Sequence, residues 1–134
     1  MYIIPKSPFT PATSPIDPVF AQSSSREHLL DRAISAVERG RLRDLLGELR
    51  RQSRQHTRAL QNLDGVNTNY PQVIDCSLTK DPIDILIEHD QALLAMYEAC
   101  SHQVPKRLET LILKQKTELA EGLRQLKPYA SVIN

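Results

Sequence analysis

Tryptophan is absent from this chain, and aromatic residues of any kind make up 4 % of it. A core built around stacked rings is therefore excluded, and burial must come from Leu, Ile, Val and Ala. Cysteine is almost as scarce. Cys76 and Cys100 have no metal-ligand spacing, and two cysteines cannot make the disulfide framework of a small secreted domain. Two reduced thiols in a cytoplasmic protein are expected. No single sign of charge prevails, with 17 basic against 16 acidic residues and a net charge of +1. A global field that would draw the protein to nucleic acid or to a membrane surface is thereby excluded. No stretch approaches the ~18 apolar residues of a membrane span. The N-terminus has one lysine and no apolar run of signal-peptide length, so a cytoplasmic protein without membrane contact is expected. With four glycines and no glycine-rich phosphate loop, the nucleotide-binding fingerprints are missing as well.

At 134 residues, the chain can bury one core. Five of its nine prolines (Pro5, Pro8, Pro11, Pro15, Pro18) fall in residues 1–22. Proline fixes φ and removes a donor, so an extended or disordered arm is predicted there, and a bundle domain over 23–134. The arm's apolar residues (Tyr2, Ile3, Ile4, Phe9, Val19, Phe20) suit packing across the bundle or docking on a second subunit.

Beyond the arm, apolar residues recur at helical spacing. Helices are predicted at about 24–39, 41–63, 82–102 and 105–127. Ser24 with Glu27 reads as a capping box for the first, and Gly40 as its left-handed stop. The second carries Leu42, Leu45, Leu46, Leu49, Leu60 and Leu63, and Asp64-Gly65 ends it. Residues 64–81 form the longest break, with turn signals at Asn67, Asn69 and Pro71, while Val73, Ile74 and Leu78 suit a lid. Asp81-Pro82 is an N-cap followed by proline at the first helical position. Pro105 opens the fourth helix, and Pro128 closes it. Four such stripes predict an all-α, antiparallel, up-down four-helix bundle.

Ser53, His56, Asp90 and Gln115, with Tyr97 beside them and His89 on a second stripe, stand where the pattern calls for Leu. Burying such groups costs about 1–3 kcal/mol each unless they are hydrogen-bonded. They therefore imply either a structural network, such as His56 on Asp90 or Tyr97, or a metal site. Imidazole and carboxylate on facing helices suit Fe, Mn or Zn. The candidate ligands are His56, His89, Asp90 and Glu118. The Glu-x-x-His motifs of two-metal bundles are missing, because Glu88-His89 is adjacent and Glu98–His102 is four apart. Glu98–His102 reads as a surface pair and His28 as an exposed residue. No strand-turn-helix context supports a nucleophile, so the chain reads as non-enzymatic. Arg43, Arg50, Arg51, Arg54 and Arg58 give the second helix a basic face that could meet phosphate, without interleaved aromatics.

Two segments carry a family resemblance. One is Arg41-Leu42-Arg43-Asp44-Leu45-Leu46-Gly47-Glu48-Leu49 followed by Gln52-Ser53-Arg54. The other is Asp90-Gln91-Ala92-Leu93-Leu94-Ala95-Met96-Tyr97-Glu98-Ala99. With Val104-Pro105-Lys106-Arg107-Leu108 opening the fourth helix, residues 24–127 resemble a small bacterial family of ferritin-like four-helix bundles. The resemblance implies that fold. Asp90 stands where the family often has Glu, and the proline-rich arm is not part of its pattern. Residues 84–94 are also similar to the first helix of hemerythrin-like domains, but four histidines cannot complete that ligand set.

The functional expectation is a bundle acting through protein–protein contact, as a homodimer or an accessory subunit. Its rivals are a ferritin-like metal-binding or oxidative-stress protein and, third, nucleic-acid association through the second helix.

Overall fold

A computed structural model describes residues 14–71 and 81–130 of the chain. Four α-helices make up the fold: α1 (Ile16–Ala36), α2 (Arg41–Gln61), α3 (Pro82–Ser101) and α4 (Lys106–Leu126). A single 3₁₀ turn, Lys127–Tyr129, follows α4. Among the described residues, no helix is long and apolar enough to cross a membrane.

Three helices begin and end close to where periodicity and caps put them. Asp81 Oδ1 accepts the Ile83 N–H at 2.7 Å, and Pro82 takes the first helical position of α3. Asn67 Oδ1 accepts the Asn69 N–H at 2.9 Å, the side-chain turn expected after α2. Val73, Ile74, Leu78 and Cys76 lie outside the described residues.

Helix α1 corrects the sequence reading. It starts at Ile16, well inside the proline-rich stretch whose composition predicts an extended arm. Pro15 sits at the N-cap and Pro18 in the first turn, where a helix has no earlier carbonyl to bond. Asp17 anchors that turn, accepting the Ser14 N–H at 3.0 Å and the Asn67 N–H at 2.8 Å. Ile16, Val19 and Phe20 are then buried on its inner face. Ser24 is consequently no cap but an interior residue. Its neighbour Ser25 is buried and donates its hydroxyl to the Ala21 carbonyl at 3.2 Å. Gly40 does not stop α1, which ends at Ala36. It precedes α2 with φ at 145°, a backbone angle that favours glycine.

Helix α1 packs along both α2 and α3, α4 packs along α3, and α2 meets α4 only lightly. The pairs Ser23–Thr57, Glu27–Arg54 and Asp31–Arg50 rise along α1 as they fall along α2. The first turn of α1 meets Met96, Ala99 and Cys100 at the end of α3, and Arg26 meets Asp90 further back. Helix α1 thus runs against both α2 and α3, which run the same way as each other. Strict up-down alternation, expected from the four stripes, therefore fails between α2 and α3, a departure that bundles with a crossover connection also show.

Two apolar clusters fill the interior. One gathers Leu29, Leu30, Leu46, Leu86, Leu123 and their neighbours; the other gathers Val19, Phe20, Leu60, Tyr97 and Ile112.

Candidate functional site

On α1, α2 and α3, a belt of polar residues lies between the apolar clusters. Helix α1 supplies Gln22, Ser23 and Arg26; α2 supplies Ser53, His56 and Thr57; α3 supplies His89 and Asp90. Gln115 and Glu118 join it from α4, and Tyr97 from the adjoining turns of α3. All four helices thus contribute, as bundle interiors allow.

Its centre is an ion pair. Arg26 Nε reaches Asp90 Oδ1 at 3.0 Å and Oδ2 at 3.1 Å. The two side chains are 1 % and 0 % exposed. Charges so enclosed are tolerable only when paired, and both carboxylate oxygens here face the guanidinium. Arg26 Nη2 nevertheless finds no acceptor among the described residues, nor does Ser53 Oγ find a partner.

Around this pair the other groups are tied in short links. The Tyr97 hydroxyl donates to Gln115 Oε1 at 2.6 Å, and Gln115 Nε2 donates to the His56 carbonyl at 3.3 Å. Ser23 and Thr57 share a hydroxyl bond of 2.9 Å, and Thr57 also donates to the Ser53 carbonyl. His56 Nε2 lies 2.8 Å from Glu118 Oε1. His89 lies 3.1 Å from Gln22 Oε1 and 3.4 Å from Asp90 Oδ1.

Burial pushes the Tyr97 phenol up, out of reach of ionisation near neutral pH. Replacing Tyr97 with Phe strands Gln115 Oε1 in the core. A loss of about 1–3 kcal/mol in urea denaturation is expected, while a surface Tyr129→Phe control should change little.

Burial likewise holds the His56 imidazole below its ordinary value of 6.5. The Glu118 bond opposes this, and the Arg26 charge adds to it. The unfolded chain therefore takes up a proton before the folded one does. Stability is complete above pH ~6.5 and falls as pH drops through the lower folded value. Melting temperature should decrease between pH 7.5 and 5.5, and His56→Gln should flatten that slope.

The sequence singled out Ser53, His56, Asp90, Tyr97 and Gln115, and all five are buried. Their partners differ from the expectation: His56 bonds Glu118 rather than Asp90, and Asp90 bonds Arg26. The candidate metal ligands fall into two pairs, His56–Glu118 and His89–Asp90. Among the described residues, no three His, Cys, Asp or Glu side chains gather as a ligand set. Glu98 and His102 form the expected exposed pair at 2.9 Å, with Lys116 on the other carboxylate oxygen. On the basic face of α2, Arg50 pairs with Asp31, Arg51 with Glu48 and Arg54 with Glu27. Arg43 and Arg58 are exposed.

Arg26 was missed. With the helix begun at Ser24, it reads as a first-turn surface residue. Begun at Ile16, it falls seven positions after Val19 and four before Leu30, on the buried stripe.

Where α2 and α4 diverge, a groove of about 600 Å³ opens beside the belt. Leu49, Gln52, Glu118 and Gly122 lie along it. A Cβ placed on Gly122 would come within 2.7 Å of Leu49 Cδ2 and 3.9 Å of Arg26 Nη2. The missing side chain thus lets α4 lie over Leu49 and brings the groove close to the buried guanidinium.

No protein-family model, no curated protein and no solved structure matches this chain.

Proposed function

We propose that this protein is a non-enzymatic helical bundle that acts by contact with another protein chain, as a homodimer or an accessory subunit. The observation that supports this reading is the open flank between α2 and α4. Three of the four sides of the bundle are closed by long helix–helix packing, and this one is not. It carries the groove of about 600 Å³. Leu113, on the α4 side, is one of two large apolar residues left exposed among the described residues. The belt serves this reading as a structural device. Buried pairs often add little net stability, and in this proposal the role of Arg26–Asp90 is to hold the helices in one register. A fixed register keeps the flank in one shape. Ferritin-like kinship belongs to the same proposal, supported by the common direction of α2 and α3 and by the two quoted segments.

A photo-crosslinking residue at Thr117, beside the groove, tests the reading in the full chain; one at Lys106 is the control. Discrete adducts from 117 alone, with a second copy or another chain, are expected. Sedimentation over a range of concentrations separates the two kinds of partner. A monomer throughout, with no adduct from 117, would overturn the proposal.

A further inference from the structure

We infer that the α2/α4 groove receives a basic amphipathic helix from a partner protein. The inference rests on the protein-contact reading above and names the chemistry of the partner.

The groove is rich in acceptors. Glu48, Glu118 and Glu121 line it, against Arg51 as the cation of the lining. Gln52 adds an observation of a different kind. Its Oε1 is shut away from solvent and meets no donor among the described residues. An acceptor in that state costs about 1–3 kcal/mol until something donates to it. Gln52 as a whole is only partly buried and lines the groove, so a turn of its side chain brings that oxygen to a Lys, Arg or amide N–H of an incoming chain.

The floor suits a helix. Leu45, Leu49 and Gly122 give an apolar strip beneath the polar rims. The α2 wall runs from Leu45 to Gln55, about 15 Å at 1.5 Å per residue, enough for roughly three helical turns of an occupant. On α4 the row Thr117, Glu121, Gln125 extends backwards by one turn to exposed Leu113. An occupant with apolar residues at i, i+3 and i+4 and cations on both sides matches this layout. The rim ion pairs do not block it. Arg51–Glu48 and Arg124–Glu121 are local i, i+3 pairs with every partner more than half exposed. Such pairs contribute about 0–1 kcal/mol and can be exchanged for others.

The chain's own basic helix does not fit. Helix α2 forms one wall of the groove, and its Arg50 and Arg54 are turned to Asp31 and Glu27 of α1. Charge complementarity therefore favours a different chain over a second copy.

Fluorescence anisotropy with the full chain tests the inference. One labelled probe is a synthetic helix of Leu and Lys with Leu at i, i+3 and i+4. The other has every Lys replaced by Glu. The Lys helix is expected to bind and the Glu helix not. A Glu48→Lys, Glu121→Lys double variant changes exposed positions only, and should weaken binding about tenfold with an unchanged far-ultraviolet spectrum. A benzophenone on the Lys helix should mark α2 and α4. Absence of binding, equal binding of the two helices, indifference to the double variant, or adducts confined to α1 and α3 would each overturn the inference. Should the Lys helix fail while position 117 still gives adducts, the partner chemistry is wrong and the contact reading stands. Failure of both removes the reading itself.

Discussion

Replacing Arg26 with Ala is expected to destabilise the bundle by about 3–5 kcal/mol, because it leaves Asp90 charged, dry and unpaired. Asp90 is fully buried, and the other polar side chain within reach among the described residues is His89, whose Nδ1 lies 3.4 Å from Oδ1. Set against the ~5–15 kcal/mol that holds a typical domain folded, such a loss brings the bundle close to its limit. Removing the carboxylate alone, Asp90→Ala, strands the guanidinium and should cost a similar amount. The double replacement Arg26→Met, Asp90→Leu removes both charges and fills the space they held. It should lie within ~1 kcal/mol of the parent or exceed it, as buried pairs exchanged for apolar residues often do. Urea denaturation followed at 222 nm measures all four proteins, and the cycle gives the coupling directly. A loss below ~1 kcal/mol for Arg26→Ala would show that the pair is wetter than its enclosure implies. The double variant also separates stability from register. If the pair sets helix stagger, the double variant should stay folded but lose the groove-specific adduct at 117.

A chain begun at Ser23 is expected not to fold. Such a truncation looks harmless from the sequence, since it removes only the proline-rich stretch. In the structure it takes away Ile16, Val19 and Phe20, all buried against Leu60, Tyr97 and Ile112. At ~1.5–3 kcal/mol for each fully buried side chain, the loss is roughly 5–9 kcal/mol. It also removes Asp17, which ties the turn after α2 to α1 through the Asn67 N–H. Far-ultraviolet circular dichroism should show most of the helical signal gone at 25 °C. A native spectrum from that chain would mean that the remaining turns of α1 are sufficient.

Much of this protein was legible in its residues, and the reasons are local. The spacing of Leu42, Leu46, Leu49 and Leu60 marks the inner face of α2 whatever packs against it, because a 3.6-residue period needs no partner to be read. Asp81-Pro82 announces α3 because a cap and a locked φ act within one turn. Ser53, His56, Asp90 and Gln115 were recognised as inward by the same period, and each is buried. The start of α1 was not legible, because a proline's effect depends on its place in the helix. Proline opposes a helix only where it displaces a hydrogen bond, and in the first turn of α1 there is none to displace. With α1 starting at Ile16 rather than Ser24, Arg26 lies in the helix interior and not in its first turn.

The sequence by itself determined four amphipathic helices, an aliphatic core and a set of polar residues turned inward. Only the tertiary structure decided which of them meet. Arg26 takes Asp90, Glu118 takes His56, and α2 parts from α4 to leave a groove. Periodicity specifies the face of a helix. Its rotation, axial stagger and distance from each neighbour are set by how side chains of all four helices interlock, and that is a property of no single stretch of chain.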